Sequence, residues 1–155
     1  MLYFPHMLIE KLYHERPRTV SPDETIIKVV RRMLRDDVNG YVVVDASKKV
    51  VGVVSLQDIA GAIVPQEFKD NPRIALAMYK KSFFHDLCHG LEQQPVRSIM
   101  RKKFLTVDLE TNILAILADF LVGDLYIVPV VEQGKLIGIV TRTEIKRAIM
   151  EGMTH

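Results

Sequence analysis

The chain has 155 residues, of which 48% are hydrophobic and 26% are charged. This length and composition suffice for a hydrophobic core without metal, and the single cysteine, Cys88, excludes an intramolecular disulfide. The formal net charge of +2 excludes a strong general attraction to nucleic acids or anionic membranes, so we expect neither as a partner.

A short helical segment and an extended stretch lead into the first long helix. The helical segment covers Ile9–Tyr13, and the extended stretch ends at Val20. Pro22 and the acids at 23–24 favour a helix start, because acidic side chains are favourable at helix N-termini. From there to Leu34, apolar residues recur at helical spacing, which predicts a helix with one buried face.

Two short strands and a closing helix follow. Runs of β-branched residues predict strands at Tyr41–Asp45 and Val50–Val54, joined by a turn at 46–49. The second strand leads into a helix at Leu56–Ile63. The order of elements in this half of the chain is therefore β-α-β-β-α.

Residues 65–94 are not typical of a flexible linker, because they are not rich in serine and glycine. Pro72 favours a helix start and Gly90 a helix end. An irregular apolar stripe predicts one or two helices packed on the rest of the protein. Its members are Ile74, Leu76, Ala77, Phe83, Phe84, Leu87 and Leu91.

The second half of the chain repeats the first. A shift of 87 positions aligns Ile9 with Val96, and after the loss of one residue in a hairpin turn Asp58 aligns with Glu144. The corresponding elements are a helical segment at Val96–Met100, a helix opened by Asp108 and Glu110, strands at Tyr126–Val131 and Leu136–Val140 joined at Gln133 and Gly134, and a helix at Arg142–Glu151. We therefore divide the chain into a first repeat, 8–64, a helical insert, 65–94, and a second repeat, 95–152.

The apolar run 112–131 is long enough to raise the question of a membrane span. Asp119, Asp124 and Pro129 interrupt it, and an aspartate at the centre of a bilayer costs roughly 2.5–3.5 kcal/mol. The equivalent segment of the first repeat carries several charged residues, so we predict a buried helix and strand instead.

The helix of the second repeat is also apolar on its outer side. The side chains concerned are Leu114, Leu117 and Leu121. They suggest that this helix is buried on a second side, against a partner subunit.

The corner between the last strand and the closing helix has the same pattern in both repeats. It reads GVVSLQD at Gly52–Asp58 and GIVTRTE at Gly138–Glu144. Unpaired N–H groups at a helix start can bind a phosphate, and a nearby carboxylate can accept hydrogen bonds from a diol. Glycine in the strand lets another backbone or a flat ligand approach closely. Diol, phosphate and flat heterocycle together describe a nucleotide.

The same corner is also typical of an ordinary helix N-cap. Ser55 would cap the helix, and Asp58 would lie in its first turn. The symmetric duplication favours the nucleotide, although duplication also preserves a cap.

The two repeats resemble a tandem pair of CBS domains, a Bateman module. The resemblance is carried by TVSPDETI, YVVVD and VVGVVSLQDI in the first repeat and by LTVDLETNI and VPVVEQGKLIGIVTRTEI in the second. It covers nearly the whole chain except the first few residues and the insert. It implies an α+β fold of two pseudo-symmetric β-α-β-β-α units packed sheet to sheet, with two clefts between them. It also implies a disc-like homodimer and a regulatory adenosine ligand, such as AMP, ADP, ATP or S-adenosylmethionine, with no required cofactor or metal.

The resemblance assigns roles to particular residues. Asp58 would hold the ribose hydroxyls, and Ser55 would point at the ribose or phosphate. Other residues expected to line the clefts are Thr19, Val20, Gly40, Tyr41, Val42, Val128, Pro129, Thr141, Arg142 and Glu144, although Tyr41 equally fits a packed strand position. Residues near enough in sequence to contact a phosphate are Arg16, Arg18, Arg142 and Lys146, although a solvated surface charge is the more common role.

Glu144 departs from the aspartate that is usual in the family. Its carboxylate stands one methylene farther out and would crowd a ribose placed for aspartate. The cleft beside Asp58 is therefore the better candidate, and we expect Glu144→Asp to improve occupancy of the other.

Other functions are compatible with parts of the sequence. His85, Cys88 and His89 share one helical face and suggest a metal site, but no second pair of ligands is evident, so an amphipathic helix with a buried cysteine is the simpler interpretation. The usual phosphate-loop, nucleophile-elbow and metalloprotease motifs do not occur, so we do not expect an enzyme. A module that only dimerises or docks on a partner is the alternative to a ligand sensor.

The single cysteine and an N-terminus unlike a secretory signal lead us to expect a cytoplasmic location. We therefore predict a homodimeric regulatory pair that senses an adenosine ligand and signals to another protein.

Overall fold

The computed structural model describes residues 7–77, 82–123 and 127–154, and the first repeat has the predicted elements in the predicted order. They are a 3-10 helix at Ile9–Lys11, β1 (Thr19–Val20), α1 (Ile26–Asp36), β2 (Gly40–Val44), β3 (Val50–Ser55) and α2 (Leu56–Ile63). β1 runs parallel to β2, and β2 and β3 form an antiparallel hairpin. α1 buries Ile26, Val29 and Met33, as the helical spacing predicts, but Leu34, the last residue of the predicted apolar face, is exposed.

The second repeat has the same architecture. Its elements are a 3-10 helix at Val96–Ser98, α6 (Ile113–Val122), β4 (Ile127–Glu132), β5 (Lys135–Thr141) and α7 (Arg142–Thr154). Val107 pairs in parallel with Val130, at the place that β1 occupies in the first repeat. Gln133 and Gly134 both have positive φ angles, as a two-residue hairpin turn requires. Tyr126, the predicted first residue of the strand, lies outside the described residues.

The insert differs from its prediction. It contains three short helices, α3 (Gln66–Asp70), α4 (Arg73–Leu76) and α5 (Phe83–Leu91), where we expected one or two. α5 contacts α2 and buries Leu91, whereas α3 and α4 bury none of their residues. The prediction that the whole apolar stripe packs on the protein is therefore wrong, because the part in α4 is exposed.

The acids that we expected to open the long helices lie before them. The N-cap residues are Thr25 for α1 and Asn112 for α6. Asp23 donates its N–H to Ser21 Oγ, and Asp108 accepts a hydrogen bond from Thr111, so both acids belong to turns. The start of α6 is set by Asn112, whose side chain accepts a hydrogen bond from the Leu114 N–H in the first turn. Thr25 makes no side-chain cap bond at the start of α1.

Each repeat contributes an N-terminal arm to the core of the other. We call residues 7–14 the first arm and residues 95–101 the second arm. Ile9 donates its N–H to the Thr111 carbonyl and is fully buried in the core of the second repeat. Val96 is fully buried in the core of the first repeat. The two repeats are thus interlocked by an exchange of their arms.

The two sheets pack face to face. Val42 and Val53 of the first sheet form a buried cluster with Ile127 and Ile139 of the second. This cluster lies between the cores of the two repeats and confirms the predicted sheet-to-sheet packing.

α6 is only partly covered by the rest of the chain. In the part of the chain that the structure describes, no helix combines the length and the apolar character that crossing a bilayer requires. Leu117 packs partly on the core of the second repeat, but Leu114 and Leu121 are exposed. The second side of α6 is therefore uncovered within one chain.

Candidate functional site

The arms cross the sheets at the glycines of the two corners. The second arm pairs with β3 through Arg101 and Val53, and the first arm pairs with β5 through His14 and Ile139. A Cβ atom on Gly52 would stand 2.8 Å from the Arg101 carbonyl oxygen. The sequence allows either another backbone or a flat ligand to approach this glycine, and in the structure a backbone lies against it. This crossing positions Arg101 beside the corner.

The first corner forms a capping box at the start of α2. Asp58 Oδ2 accepts hydrogen bonds from the Ser55 N–H at 2.8 Å and from Ser55 Oγ at 2.9 Å. Ser55 Oγ in turn accepts from the Asp58 N–H at 3.3 Å. The cap that the sequence allows is therefore present, and it uses one of the two carboxylate oxygens of Asp58.

The second oxygen of this carboxylate has a different partner. Arg101 Nε donates to Asp58 Oδ1 at 3.0 Å. The exposed fraction is 10% for the Asp58 side chain and 38% for the Arg101 side chain. The pair therefore lies at the edge of the interior, where a ligand can reach it.

This pair lines a cavity between the two repeats, which we call the first cleft. Its volume is ≈ 440 Å³, within the usual range for small-molecule sites. Its walls are Val53, Ser55, Asp58, Arg101, Lys103, Phe104, Leu105, Asp119, Gly123 and Ile127. The cleft thus combines apolar surface with two cations and two carboxylates.

A smaller cavity, the second cleft, lies at the other corner. Its volume is ≈ 170 Å³, below the usual range for such sites. Its walls are Arg18, Asp37, Val38, Asn39, Gly40, Ile127, Thr141, Arg142 and Thr143. Each cleft therefore uses the corner of one repeat and a segment of the other.

Glu144 does not belong to the described walls of the second cleft. Its side chain is buried, and its carboxylate accepts hydrogen bonds from the N–H and the hydroxyl of Thr141. The longer side chain folds back into the cap of α7. Asp58, in the equivalent cap, reaches its cleft.

The remaining predicted residues are distributed over other parts of the fold. Tyr41 and Val128 are buried in the cores of the first and second repeats, Val42 lies between the sheets, and Pro129 is buried in β4. Thr19 and Val20 border a separate groove of ≈ 390 Å³ that also includes Arg32 and Asp45. None of these six residues belongs to the described walls of the two clefts.

Tyr41 has a polar partner at the edge of the core. Its hydroxyl donates to Asp36 Oδ2 at 3.1 Å, and the Arg32 guanidinium lies over its ring. Burial raises the pKa of Tyr41, and the hydrogen bond to Asp36 raises this pKa further. The hydrogen bond from Arg35 lowers the pKa of Asp36 despite its desolvation.

Most walls of the first cleft were not predicted from the sequence. The missed wall residues are Arg101, Lys103, Phe104, Leu105, Asp119, Gly123 and Ile127. Part of this set could be predicted from the repeat. Because the two clefts are related by pseudo-symmetry, the segment that follows each arm lies opposite the corner of the other repeat. Lys103, Phe104 and Leu105 follow from that argument once the exchange of arms is known.

The histidines and the cysteine of α5 do not form a metal site with other described residues. No group of three His, Cys, Asp or Glu side chains in the described ranges is arranged to hold a metal ion. His89 instead contacts Glu92, with 3.3 Å between Nδ1 and Oε2.

The element order and the packed sheets agree with a known family. The family model described as the CBS domain matches residues 9–65 and 96–151. The chain belongs to the CBS-domain family. Its two matched regions are the two repeats, which makes it a CBS pair.

Known proteins resemble this CBS pair over nearly its whole length. It is 27% identical over 157 residues to the uncharacterized protein MJ1426 of Methanocaldococcus jannaschii, covering 93% of this chain and 92% of that protein. The CBS domain pair of MJ0100 in complex with 5′-methylthioadenosine and S-adenosyl-L-methionine is 19% identical, with a TM-score of 0.70 and coverage of 96% and 99%. CBSX2 in complex with AMP is 24% identical, with a TM-score of 0.69 and coverage of 94% and 98%. At these identities, the two solved structures show a shared fold.

Proposed function

We propose that this CBS pair is a regulatory module that binds an adenosine-containing ligand in the first cleft. The observation that carries the proposal is the position of Asp58, whose carboxylate lies in the wall of a cavity of ≈ 440 Å³ between the repeats. A carboxylate in such a wall is an acceptor for the two hydroxyls of a ribose.

The other walls of the first cleft suit the remaining parts of a nucleotide. Val53, Phe104 and Ile127 supply apolar surface for a flat base. Lys103 and Arg101 supply positive charge for a phosphate. The second cleft suits a nucleotide less well in size and in chemistry, so we propose one ligand for each chain.

Two proteins of the same fold support the class of ligand. MJ0100 has been solved with 5′-methylthioadenosine and S-adenosyl-L-methionine, and CBSX2 has been solved with AMP. These compounds share adenosine and differ in what its 5′ carbon carries. We therefore propose that the ligand of this chain also contains adenosine.

The proposal is tested by calorimetric titration with AMP, ATP and S-adenosylmethionine. Asp58→Asn removes the negative charge and keeps an oxygen that can accept from Ser55. We expect it to weaken binding at least about tenfold, which corresponds to about 1.4 kcal/mol. Glu144→Gln is the matched control, because it alters the equivalent cap outside the first cleft and should leave the affinity unchanged.

Three results would contradict the proposal. The wild-type chain could bind none of the three compounds, a folded Asp58→Asn variant could bind as tightly as wild type, or the Glu144→Gln control could lose as much affinity. The first result favours the second candidate, a module that acts only by association.

One observation favours association in any case. α6 and α7 cover the same core and expose large apolar side chains on their outer surfaces. These are Leu114, Leu121, Val122, Met150 and Met153. We propose that this apolar surface forms a homodimer, through which ligand binding is transmitted to a regulated protein.

We also propose that the pair works in the cytoplasm and does not catalyse a reaction.

A further inference from the structure

The carboxylate of Asp58 is almost fully occupied by groups of the protein itself. A carboxylate offers about four lone-pair positions to hydrogen-bond donors. Ser55 donates twice to Oδ2, and Arg101 donates to Oδ1. On this count a single acceptor position is left, whereas the two hydroxyls of a ribose need two.

We propose that Arg101 is an internal competitor for Asp58 that selects ligands with a phosphate. In the structure the Arg101 guanidinium donates to Asp58. A ribose diol displaces it, and the released guanidinium then binds the phosphate of the same ligand. This inference rests on the function proposed above.

The geometry around Arg101 fits such a movement. Its backbone is held by pairing with Val53, with N···O distances of 2.8 Å and 3.1 Å. Its side chain, by contrast, is 38% exposed, so a ligand in the cleft can reach the guanidinium. Lys103 lies in the wall of the same cleft and provides a second cation for the phosphate.

The competition has a different consequence for each class of ligand. A nucleoside monophosphate replaces the bond between Arg101 and Asp58 by a bond between Arg101 and its phosphate. Adenosine has no phosphate, so it breaks the first bond without forming the second. S-adenosylmethionine brings a positive sulfonium toward the released guanidinium. The first cleft should therefore favour AMP over the other two.

The test compares AMP and adenosine by calorimetric titration of wild type and Arg101→Gln. Losing a partly exposed ion pair changes an equilibrium constant roughly fivefold, so adenosine should bind Arg101→Gln about fivefold more tightly than wild type. AMP should bind the variant more weakly, because charge-assisted bonds to its phosphate are lost. The ratio of the two affinities should then fall by at least about tenfold.

Lys103→Gln is the matched control. It removes a cation from the same cleft without touching the bond to Asp58. It should weaken AMP binding and leave adenosine binding unchanged. Circular dichroism and thermal unfolding establish that both variants are folded.

A second readout follows the guanidinium itself. The NMR signal of the Arg101 Nε–H group, assigned by its loss in Arg101→Gln, should shift on saturation with AMP. An unchanged signal in the AMP complex would overturn the proposal, as would an Arg101→Gln variant that binds adenosine no better than wild type. If neither compound binds wild type or variant, the proposed function itself fails; if both bind and Arg101→Gln weakens both equally, only the competition fails.

Discussion

Asp58 and Arg101 lie 43 positions apart in the chain, and their side chains meet at 3.0 Å across the boundary between the two repeats. The first lies in the first turn of α2, and the second ends the arm that the second repeat places on β3. The contact that lines the first cleft is thus also a contact that joins the repeats. Any ligand that breaks it acts on the interface between the repeats.

The first prediction concerns the strength of this ion pair without ligand. We expect a double-mutant cycle of Asp58→Asn and Arg101→Gln to give a coupling free energy of about 0.5–1 kcal/mol, because the pair is only partly exposed. Urea unfolding of the four proteins at low salt measures it. A coupling indistinguishable from zero would show that the contact does not persist in solution.

The second prediction concerns the glycine at the crossing of the second arm. Gly52→Ala places a Cβ atom 2.8 Å from both the Arg101 carbonyl oxygen and Met100 Sδ, and the carbonyl belongs to a paired backbone. We expect a loss of about 1–3 kcal/mol in the free energy of unfolding. The matched control is Gly61→Ala in α2, where no neighbour lies within 4 Å, and it should stabilise the protein by about 0.5–1 kcal/mol. Equal effects of the two substitutions would contradict the tight crossing.

Local signals in the sequence were sufficient for the order and most bounds of the elements. The closing helix of the first repeat occupies Leu56–Ile63 as predicted, since a strand of β-branched residues ends there at a serine cap. The hairpin at Gln133 and Gly134 also follows from local chemistry. The helix starts were displaced because Asn112 and Thr25, rather than the acids before them, occupy the N-cap positions.

The walls of the first cleft depend on contacts that no local pattern contains. Arg101 reaches Asp58 only because the second arm packs on the first repeat. Tyr41 and Val128 are apolar strand residues, and alternation alone does not say whether such a residue faces a core or a cleft. α4 shows the same limit, since Ile74 and Leu76 predict burial and the fold leaves them exposed.

The third prediction concerns alkaline pH. Burial and the bond to Asp36 raise the pKa of Tyr41 in the folded protein above its usual value of about 10. The folded state therefore favours the protonated phenol, and this contribution to stability is complete below pH about 10 and is lost as the pH rises through the folded pKa. Wild type should lose stability more steeply than Tyr41→Phe as the pH rises above about 10.

The control for this experiment is Tyr13→Phe, which removes a tyrosine without removing the bond to Asp36. Guanidinium unfolding at several pH values measures all three proteins. If the stability of Tyr41→Phe follows the same pH profile as wild type, the tyrosine does not contribute as the structure implies.

The fourth prediction concerns the number of ligands. The clefts measure ≈ 440 Å³ and ≈ 170 Å³, so wild type should bind one AMP for each chain. Glu144→Asp shortens the side chain that folds into the cap of α7. The second corner then carries an aspartate at this position, as the first corner does. We expect this variant to show a second, weaker site in the titration. A wild-type stoichiometry of two would contradict the difference between the clefts.

The fifth prediction concerns the uncovered apolar surface of α6 and α7. Leu121 is 84% exposed and lies among other exposed apolar side chains, so we expect it to be covered by a second copy of the chain. Leu121→Glu places a charge in that interface and should weaken the dimer at least about tenfold, since a buried unpaired charge is costly. Leu76→Glu is the matched control, because Leu76 is 80% exposed on α4, in the insert rather than on α6 or α7. Sedimentation velocity over a range of protein concentrations should show dimers for wild type and Leu76→Glu and monomers for Leu121→Glu. A wild-type monomer, or dissociation by both substitutions alike, would contradict an interface on α6 and α7.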